Sequence, residues 1–285
     1  MNKNKIYSMW FLIPSIVIFS IFFLIPLVSS LFYSLTVWDF KNFTFVGLDN
    51  FKQYFSQKSL YGSIKNTLIY AFLTSGSKVV LAFIIAVLLT SKIKTKDFLR
   101  SIVFFPNLVS SLAVGVTFAA LMHPTKGLFN LVLEGIGLGR IDWLGNPNLA
   151  LYSVILTDVW KGVGIATVIY IAGIQCIDKG YYEAADIDGA NGWQRLKCIT
   201  IPLVRPAMNS IIILSLIGGL RSFDLIWSMT GGGPGFATDV MASVVYKQYA
   251  AGYYGLSTAG NVIMLVLIAA IAYPLQRYLL SKEEQ

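Results

Sequence analysis

Six long apolar segments constrain this chain more than any other feature of its sequence. Each holds about 20 or more mostly apolar residues, the length that an α-helix needs to cross the hydrocarbon core of a bilayer. Only 13% of the residues are charged, whereas an ordinary soluble domain carries roughly a quarter. The sequence therefore predicts an all-α integral membrane protein with six transmembrane helices, at residues 8–34, 66–91, 101–122, 150–175, 206–228 and 256–279.

The first segment is predicted to remain in the protein rather than to be cleaved as a secretion signal. Its apolar run is too long for a signal core, contains Pro14 and Pro26, and has no convincing small-residue cleavage site. Cys176 and Cys198 flank a single loop, which favours ordinary small side chains over a disulfide framework.

Basic residues predict how the spans are oriented. If the amino terminus is cytoplasmic, the cytoplasmic ends and loops carry more Lys and Arg, namely Lys3, Lys5, Lys92, Lys94, Lys96, Arg100, Lys179, Arg195, Lys197, Arg205, Arg277 and Lys282. The outer loops then carry Lys41, Lys52, Lys58, Lys65, Lys126, Arg140 and Lys247. The positive-inside rule therefore predicts that both termini and the 178–205 loop are cytoplasmic. The net charge of +8 is explained by basic residues beside the membrane ends of the spans, so it does not require a nucleic-acid partner.

Two features that resemble catalytic or cofactor motifs have simpler explanations. The run Gly231-Gly-Gly-Pro-Gly235 lacks the Lys-Ser/Thr ending and the preceding strand of a phosphate loop, so we expect it to end the fifth helix. The single histidine, His123, has no second ligand at metal-binding spacing.

The charged 178–205 loop is too polar and too punctuated to lie in hydrocarbon. Asp178 is suited to cap a short helix that Gly189 ends, and Asn191 is suited to cap a second helix running through Ile199 before Pro202. Two such helices make a compact knob, with small residues that let a partner approach closely. The alternative is a connector that rests on the membrane surface.

Charges inside the spans are costly and suggest function. They are Lys78, Asp158, Arg221 and Asp224, and helical spacing predicts that Asp158 pairs with Lys161 and Arg221 with Asp224. These groups, with Trp160, Phe223 and Trp227 beside them, suit a polyhydroxylated ligand. A purely structural role and a proton relay use the same residue types, so all three alternatives stay open on this pattern.

One motif identifies a family. The segment Glu183-Ala-Ala-Asp-Ile-Asp-Gly-Ala190, followed by Ile199-Thr-Ile-Pro202 and Pro206, resembles the EAA motif of permease subunits in binding-protein-dependent ABC importers. Leu196 departs from the Phe usual in sugar permeases. The segments 45–51, 66–68, 160–164, 222–226 and 230–234 are similar to the carbohydrate branch, and specifically to the first permease of its usual unlike pair.

The resemblance implies a type I ABC importer permease fold with a cytoplasmic EAA coupling helix. It divides the chain into residues 1–65, the first transmembrane helix with its outer loop, and residues 66–285, a permease core of five transmembrane helices. The implied partners are a second permease, two ATPase subunits that bind ATP and Mg, and an extracellular sugar-binding protein. The chain itself would carry no cofactor and perform no covalent chemistry, and it would lie in a bacterial or archaeal cytoplasmic membrane.

The resemblance also assigns residues. Contact with the ATPase falls on Glu183, Ala184, Ala185, Asp188 and Gly189. The substrate pathway falls on Asn107, Ser110, Asp158, Gly162, Arg221, Ser222 and Asp224. The expected substrate is a carbohydrate, most simply an oligosaccharide.

Two other classes compete with this interpretation. A proton-coupled secondary carrier would use Asp158 or Asp224, although six spans without an internal repeat argue against it. An intramembrane enzyme would need a nucleophile with a base, or a metal cluster, and the sequence offers neither.

Overall fold

A computed structural model describes residues 9–38, 42–91 and 93–282 of the chain. Lys3, Lys5, Lys41 and Lys92, which entered the orientation argument, lie outside the described residues, as do the chain ends themselves. The orientation stays a prediction.

The described residues are mostly helical. The first apolar segment begins as a 3-10 turn at Met9–Leu12 and contains a π turn at Ser20–Leu24. The α-helices are α1 Ile13–Phe19, α2 Ile25–Tyr33, α3 Asp49–Ser56, α4 Lys58–Thr90, α5 Lys96–Leu108, α6 Ser111–Leu121, α7 Leu128–Gly135, α8 Ala150–Gln175, α9 Lys179–Ile187, α10 Gly192–Arg195, α11 Ile201–Leu203, α12 Arg205–Leu220, α13 Asp224–Thr230, α14 Met241–Ala250 and α15 Tyr254–Ser281. A short antiparallel hairpin pairs β1, Thr36–Trp38, with β2, Phe43–Phe45.

Four helical segments are long and apolar enough to cross a membrane: Trp10–Tyr33, Lys58–Thr90, Ala150–Gln175 and Tyr254–Ser281. Two further pairs meet the same criteria only as bent units, Lys96–Leu108 with Ser111–Leu121 and Gly192–Leu203 with Arg205–Leu220. The described residues therefore contain four candidate spans, or up to six if each bent pair is one span. The predicted segment 150–175 matches α8 at both ends.

The third and fifth predicted spans are not continuous helices. The third bends by 98° between α5 and α6, where Val109 and Ser110 adopt extended or irregular backbone. The fifth is interrupted at Arg221–Phe223, between α12 and α13. Hydropathy averages over such breaks, because the apolar composition continues on both sides of them.

Close contact between helix backbones holds the central helices together. Helix α8 packs against α4, α5 and α12 around Tyr170, which is fully buried. A Cβ atom placed on Gly219 of α12 would lie 2.7 Å from the Ala71 Cα of α4, and one on Gly115 of α6 would lie 2.8 Å from the Ser228 Cβ of α13. Membrane helices commonly gain their packing from small residues at such interfaces.

The glycine-rich run after α13 ends that helix, as predicted. Gly231 adopts the left-handed backbone with φ of +59° at the helix end, a conformation that glycine tolerates without steric cost. The side-chain amide of Asn66, near the start of α4, donates to the carbonyls of Phe236, Ala237 and Asp239. The loop after α13 is therefore fixed to the first part of α4. In the orientation that the sequence predicts, this is the outer end of α4.

Candidate functional site

A cavity of about 340 Å³ lies among helices α4, α5, α6, α8 and α12. Its polar lining comes from every one of these helices, and it includes charged, amide and hydroxyl groups beside an aliphatic wall. The polar lining side chains are Lys78, Asn107, Ser111, Asp158, Lys161 and Ser215.

An ion pair between neighbouring helices dominates the cavity. The Lys78 Nζ of α4 donates to the Asp158 Oδ2 of α8 at 2.7 Å. The two side chains are only 12% and 17% exposed. The predicted pairing of Asp158 with Lys161 is therefore wrong, because a neighbouring helix supplies a closer cation than the next turn of α8 does.

Gly162 makes this ion pair sterically possible. A Cβ atom at position 162 would lie 2.6 Å from the Lys78 Cε and 2.8 Å from its Nζ. The lysine therefore crosses the face of α8 through space that any larger residue would fill. The resemblance assigned Gly162 to the substrate pathway, and the structure adds a steric reason for a glycine there.

Tyr70 extends the polar network from the cavity to the break in the fifth span. Its ring is fully buried, and its hydroxyl accepts a hydrogen bond from the Ser222 Oγ at 3.2 Å. The same hydroxyl lies within interaction range of Asp158. Ser222 is thus connected to the ion pair through one residue of α4.

The structure brings together only part of the predicted substrate-pathway set. Asn107, Asp158 and Gly162 line the cavity. Ser110 does not line it and instead precedes α6, whereas its neighbour Ser111 does line it.

Arg221 and Asp224 do not line the cavity, and among the described residues they form no ion pair with each other. That predicted pairing is wrong because it assumed helical spacing. Arg221 ends α12, and Phe223 has φ of −137°, so the two charges do not share a helix face. Both side chains are exposed on this chain. An exposed charge within a span requires water or protein beside it.

Aromatic rings near Asp224 pack on one another. Phe223 stacks on Trp227 with ring centroids 5.6 Å apart, and Tyr246 contacts both rings. Trp160, by contrast, is 44% exposed and touches Phe118. Of these predicted ligand-facing rings, Trp160 has the most accessible face.

The 178–205 loop folds as two short helical pieces, as predicted. The Asp178 carboxylate accepts from the Gly180 N–H at 2.8 Å at the start of α9. Gly189 follows α9 with φ of +73°. Asn191 and Gln194 then form a reciprocal capping box at the start of α10, which satisfies donors that an uncapped helix would leave free.

The second piece continues further than predicted. A π turn at Leu196–Thr200 follows α10, and α11 carries the chain through Pro202 to Leu203. The prediction that it ends before Pro202 is wrong, because the π turn changes the backbone register ahead of the proline, which has no N–H to donate. The bend comes at Val204, where Gly192–Leu203 and Arg205–Leu220 meet at 65°.

Side-chain bonds join the two pieces into one compact unit, Lys179–Leu203, which we call the helical knob. Arg195 forms an ion pair with Asp186, and the Tyr182 hydroxyl lies 2.9 Å from the Thr200 Oγ1. The knob nevertheless exposes large apolar side chains, with Ile187 at 88% and Trp193 at 69%. Of the assigned contact residues, Ala185 is half-buried and the others, Glu183, Ala184, Asp188 and Gly189, are exposed.

Other candidate groups have local roles. The His123 Nδ1 accepts hydrogen bonds from the backbone N–H groups of Thr125 and Lys126. Cys176 and Cys198 are both free. Across the described ranges, no cluster of three or more His, Cys, Asp or Glu residues is placed to hold a metal ion.

Sequence reasoning missed the roles of Lys78 and Tyr70. The charge of Lys78 in mid-span marks it as a candidate, but its partner Asp158 is 80 positions away in the chain, and the sequence does not show that the two meet. Tyr70 gave no signal, since an isolated tyrosine in an apolar span is ordinary.

Comparison with known proteins places the chain in a family. The model of the "binding-protein-dependent transport system inner membrane component" family matches residues 78–284. The chain is 32% identical to the trehalose/maltose transport system permease protein MalF of Thermococcus litoralis, over 90% of this chain and 88% of that protein. It is also 32% identical to the multiple sugar-binding transport system permease protein MsmF of Streptococcus mutans, over 94% and 93% respectively.

A solved structure has the same architecture. It is a crystal structure of a bacterial ABC transporter involved in the import of the acidic polysaccharide alginate. The matched chain superposes with a TM-score of 0.82 at 25% identity, over 94% of this chain and 93% of that one. The chain therefore belongs to the family of inner-membrane components of binding-protein-dependent transport systems.

Proposed function

We propose that this chain is a carbohydrate permease subunit of a type I ABC importer in a bacterial or archaeal cytoplasmic membrane. It has six spans, with both termini and the helical knob in the cytoplasm. It works with a second permease, with two ATPase subunits that bind ATP and Mg, and with an extracellular sugar-binding protein. The names of its relatives, which include sugar and oligosaccharide permeases, support the substrate class.

The observation that carries this proposal is the direct connection between the knob and the cavity. Helix α12 begins at Arg205, immediately after the knob and its bend at Val204. The same helix lines the cavity at Ile211, Ser215 and Gly218. A force applied to the knob therefore reaches the cavity wall through one helix, without an intervening loop.

The knob has the properties of a docking element. Its bond between Arg195 and Asp186 and its helix caps hold its two short helical pieces together. Exposed Ile187 and Trp193 give it apolar surface that a partner's cleft would remove from water. We assign Glu183, Ala184, Ala185, Asp188 and Gly189 to the contact with the ATPase. Closure of the ATPase dimer on ATP would push the knobs of the two permeases together and rock their helices between inward-facing and outward-facing states.

The cavity suits a polyhydroxylated ligand. Asp158 accepts hydrogen bonds from hydroxyl groups, Lys78 and Lys161 donate them, and Asn107 does both. Because the ion pair neutralises Lys78 and Asp158 together, the site presents polar groups at a lower desolvation cost than two isolated charges would. We assign Arg221, Ser222 and Asp224 to a part of the pathway nearer the outer face, beyond the Tyr70 hydroxyl, which an imported ligand would reach before the cavity.

Variants of the knob test the coupling role. In the complete transporter, Glu183→Lys and Gly189→Asp should reduce copurification of the ATPase at least about tenfold. The first reverses a charge in the contact, and the second adds a charge there and strains the left-handed backbone at position 189. The amount of permease in the membrane should stay unchanged. Asp97→Lys is the control, since it reverses an exposed carboxylate outside the knob, in the first turn of α5. Normal ATPase copurification with both knob variants would overturn the assignment.

The proton-coupled carrier remains the competing function, with Asp158 or Asp224 as the proton site. The ion pair of Asp158 with Lys78 gives that carboxylate a structural partner and does not favour a relay. Membrane vesicles that contain the assembled transporter separate the two functions. Uptake that requires ATP and persists without a proton gradient supports the importer, whereas uptake that follows the gradient and ignores ATP refutes it.

A further inference from the structure

The outer end of α4 carries an exposed stripe that the proposed translocation mechanism does not use. Lys58, Tyr61 and Lys65 recur at helical spacing, and all three side chains are exposed. Together with Phe236, which is 61% exposed, they line a groove of about 850 Å³. Among the described residues neither lysine has an ion-pair partner. We call this feature the cationic groove.

The cationic groove has a fixed shape. Asn66 lies one residue beyond Lys65 and bonds three carbonyls of the loop that carries Phe236. The base of that loop is held by Asp239, which is 1% exposed and accepts from the Lys247 Nζ at 2.8 Å. The two walls of the groove are thus connected by hydrogen bonds, and a partner would meet a preorganised surface.

The length of α4 places the groove beyond the lipid. Helix α4 has 33 residues and is therefore about 50 Å long, whereas the hydrocarbon core is about 30 Å thick. If Thr90 marks the inner edge of that core, its outer edge lies near Ala71. Lys58 is then about 20 Å beyond the hydrocarbon and Lys65 about 9 Å, while the headgroup layer adds only about 5–7 Å. Lipid headgroups therefore do not reach the groove as a whole.

We propose that the cationic groove is a docking surface for the extracellular sugar-binding protein, and that it receives an acidic segment with at least one apolar side chain. The proposal rests on the importer function above, which supplies a soluble partner on this side of the membrane. Two unpaired lysines match an acidic segment, and the exposed rings of Tyr61 and Phe236 match an apolar side chain. The lysine charges would mainly set how fast and how tightly the binding protein associates with the groove.

The test uses the complete transporter in proteoliposomes and the sugar-loaded cognate binding protein. ATPase activity is measured against binding-protein concentration for the wild type, for Lys58→Glu with Lys65→Glu, and for Lys126→Glu. Lys126 is the matched control, because it is an exposed outer-loop lysine outside the groove. The double variant should raise the half-saturating concentration about tenfold, with the same maximal rate, and added salt should reduce the difference. Lys126→Glu should change the half-saturating concentration by less than about twofold.

The outcomes separate the inference from the function on which it rests. A wild type whose ATPase ignores the binding protein contradicts the proposed function itself. If the wild type responds to the binding protein and the double variant has the same half-saturating concentration, only the proposed docking surface is overturned. A defect that disappears when anionic lipid is omitted from the vesicles assigns the groove to lipid and likewise overturns the proposal. Phe236→Ala should weaken docking without salt dependence, since its contribution is apolar.

Discussion

Replacing Gly162 by alanine should disrupt the ion pair in the cavity although it adds only one methyl group. In an ordinary helix the change stabilises by up to about 1 kcal/mol, because glycine is the poorer helix former. Here the new Cβ would lie 2.6 Å from the Lys78 Cε, which is too close for a non-bonded contact. Lys78 must therefore move away from Asp158, or the two helices must separate.

The size of the effect follows from the burial of the pair. Fully exposed ion pairs contribute about 0–1 kcal/mol, whereas breaking a fully buried pair costs about 3–5 kcal/mol. With side chains 12% and 17% exposed, the Lys78–Asp158 pair lies nearer the buried limit. We therefore take the cost of breaking it as about 2–4 kcal/mol. After subtraction of the helix-propensity gain, Gly162→Ala should lower the free energy of unfolding by about 1–3 kcal/mol.

The assay is equilibrium unfolding of the purified chain in mixed detergent micelles, with Gly218→Ala as the matched control. Gly218 lines the same cavity, but a Cβ atom there meets nothing within 4 Å, so that variant should be neutral or slightly stabilised. The decisive comparison repeats Gly162→Ala in a Lys78→Ala, Asp158→Asn background, where no lysine occupies the space. There the cost should vanish. An equal loss of stability in both backgrounds would refute the steric argument.

Three further changes test other parts of the structure. Asn191→Ala removes one half of the capping box and should weaken the knob by about 1 kcal/mol, seen as a reduced maximal transport rate that Asn191→Asp restores. Asn66→Leu removes three bonds to the loop after α13, so limited proteolysis near Gly235 should accelerate, and an unchanged cleavage rate would contradict the fixed groove. Asp224→Ala should lower sugar uptake without loss of ATPase copurification, and unchanged uptake across the native sugar range would leave Asp224 with a structural role.

The features that local interactions determine were predictable from the sequence. Asp178 and Asn191 cap their helices with atoms two or three residues away, and Gly189 adopts a backbone that glycine favours. Such contacts are fully encoded within a few positions. The apolar runs likewise placed α8 and α15 to within about two residues, a typical uncertainty for helix ends.

The features that depend on distant parts of the chain were not predictable in this way. Asp158 had a plausible partner in Lys161, and only the packing of α4 on α8 shows that Lys78 is closer. The assumed pair of Arg221 and Asp224 failed because a break in the helix is invisible to hydropathy. Electrostatic pairing within a helix bundle is decided by which helices are neighbours, and the helical spacing of charges cannot supply that information.

The contact between Gly115 and Ser228 limits which residues fit at these two positions. These residues bring α6 and α13 so close that a methyl group at position 115 has no room. A side chain at position 115 would fit only if the Ser228 side chain were removed, and glycine at 115 leaves no smaller residue that could offset a larger one at 228. The third and fifth spans, each interrupted by its own break, are therefore tied to each other at this contact, and a change in one span's residue here acts directly on the other span.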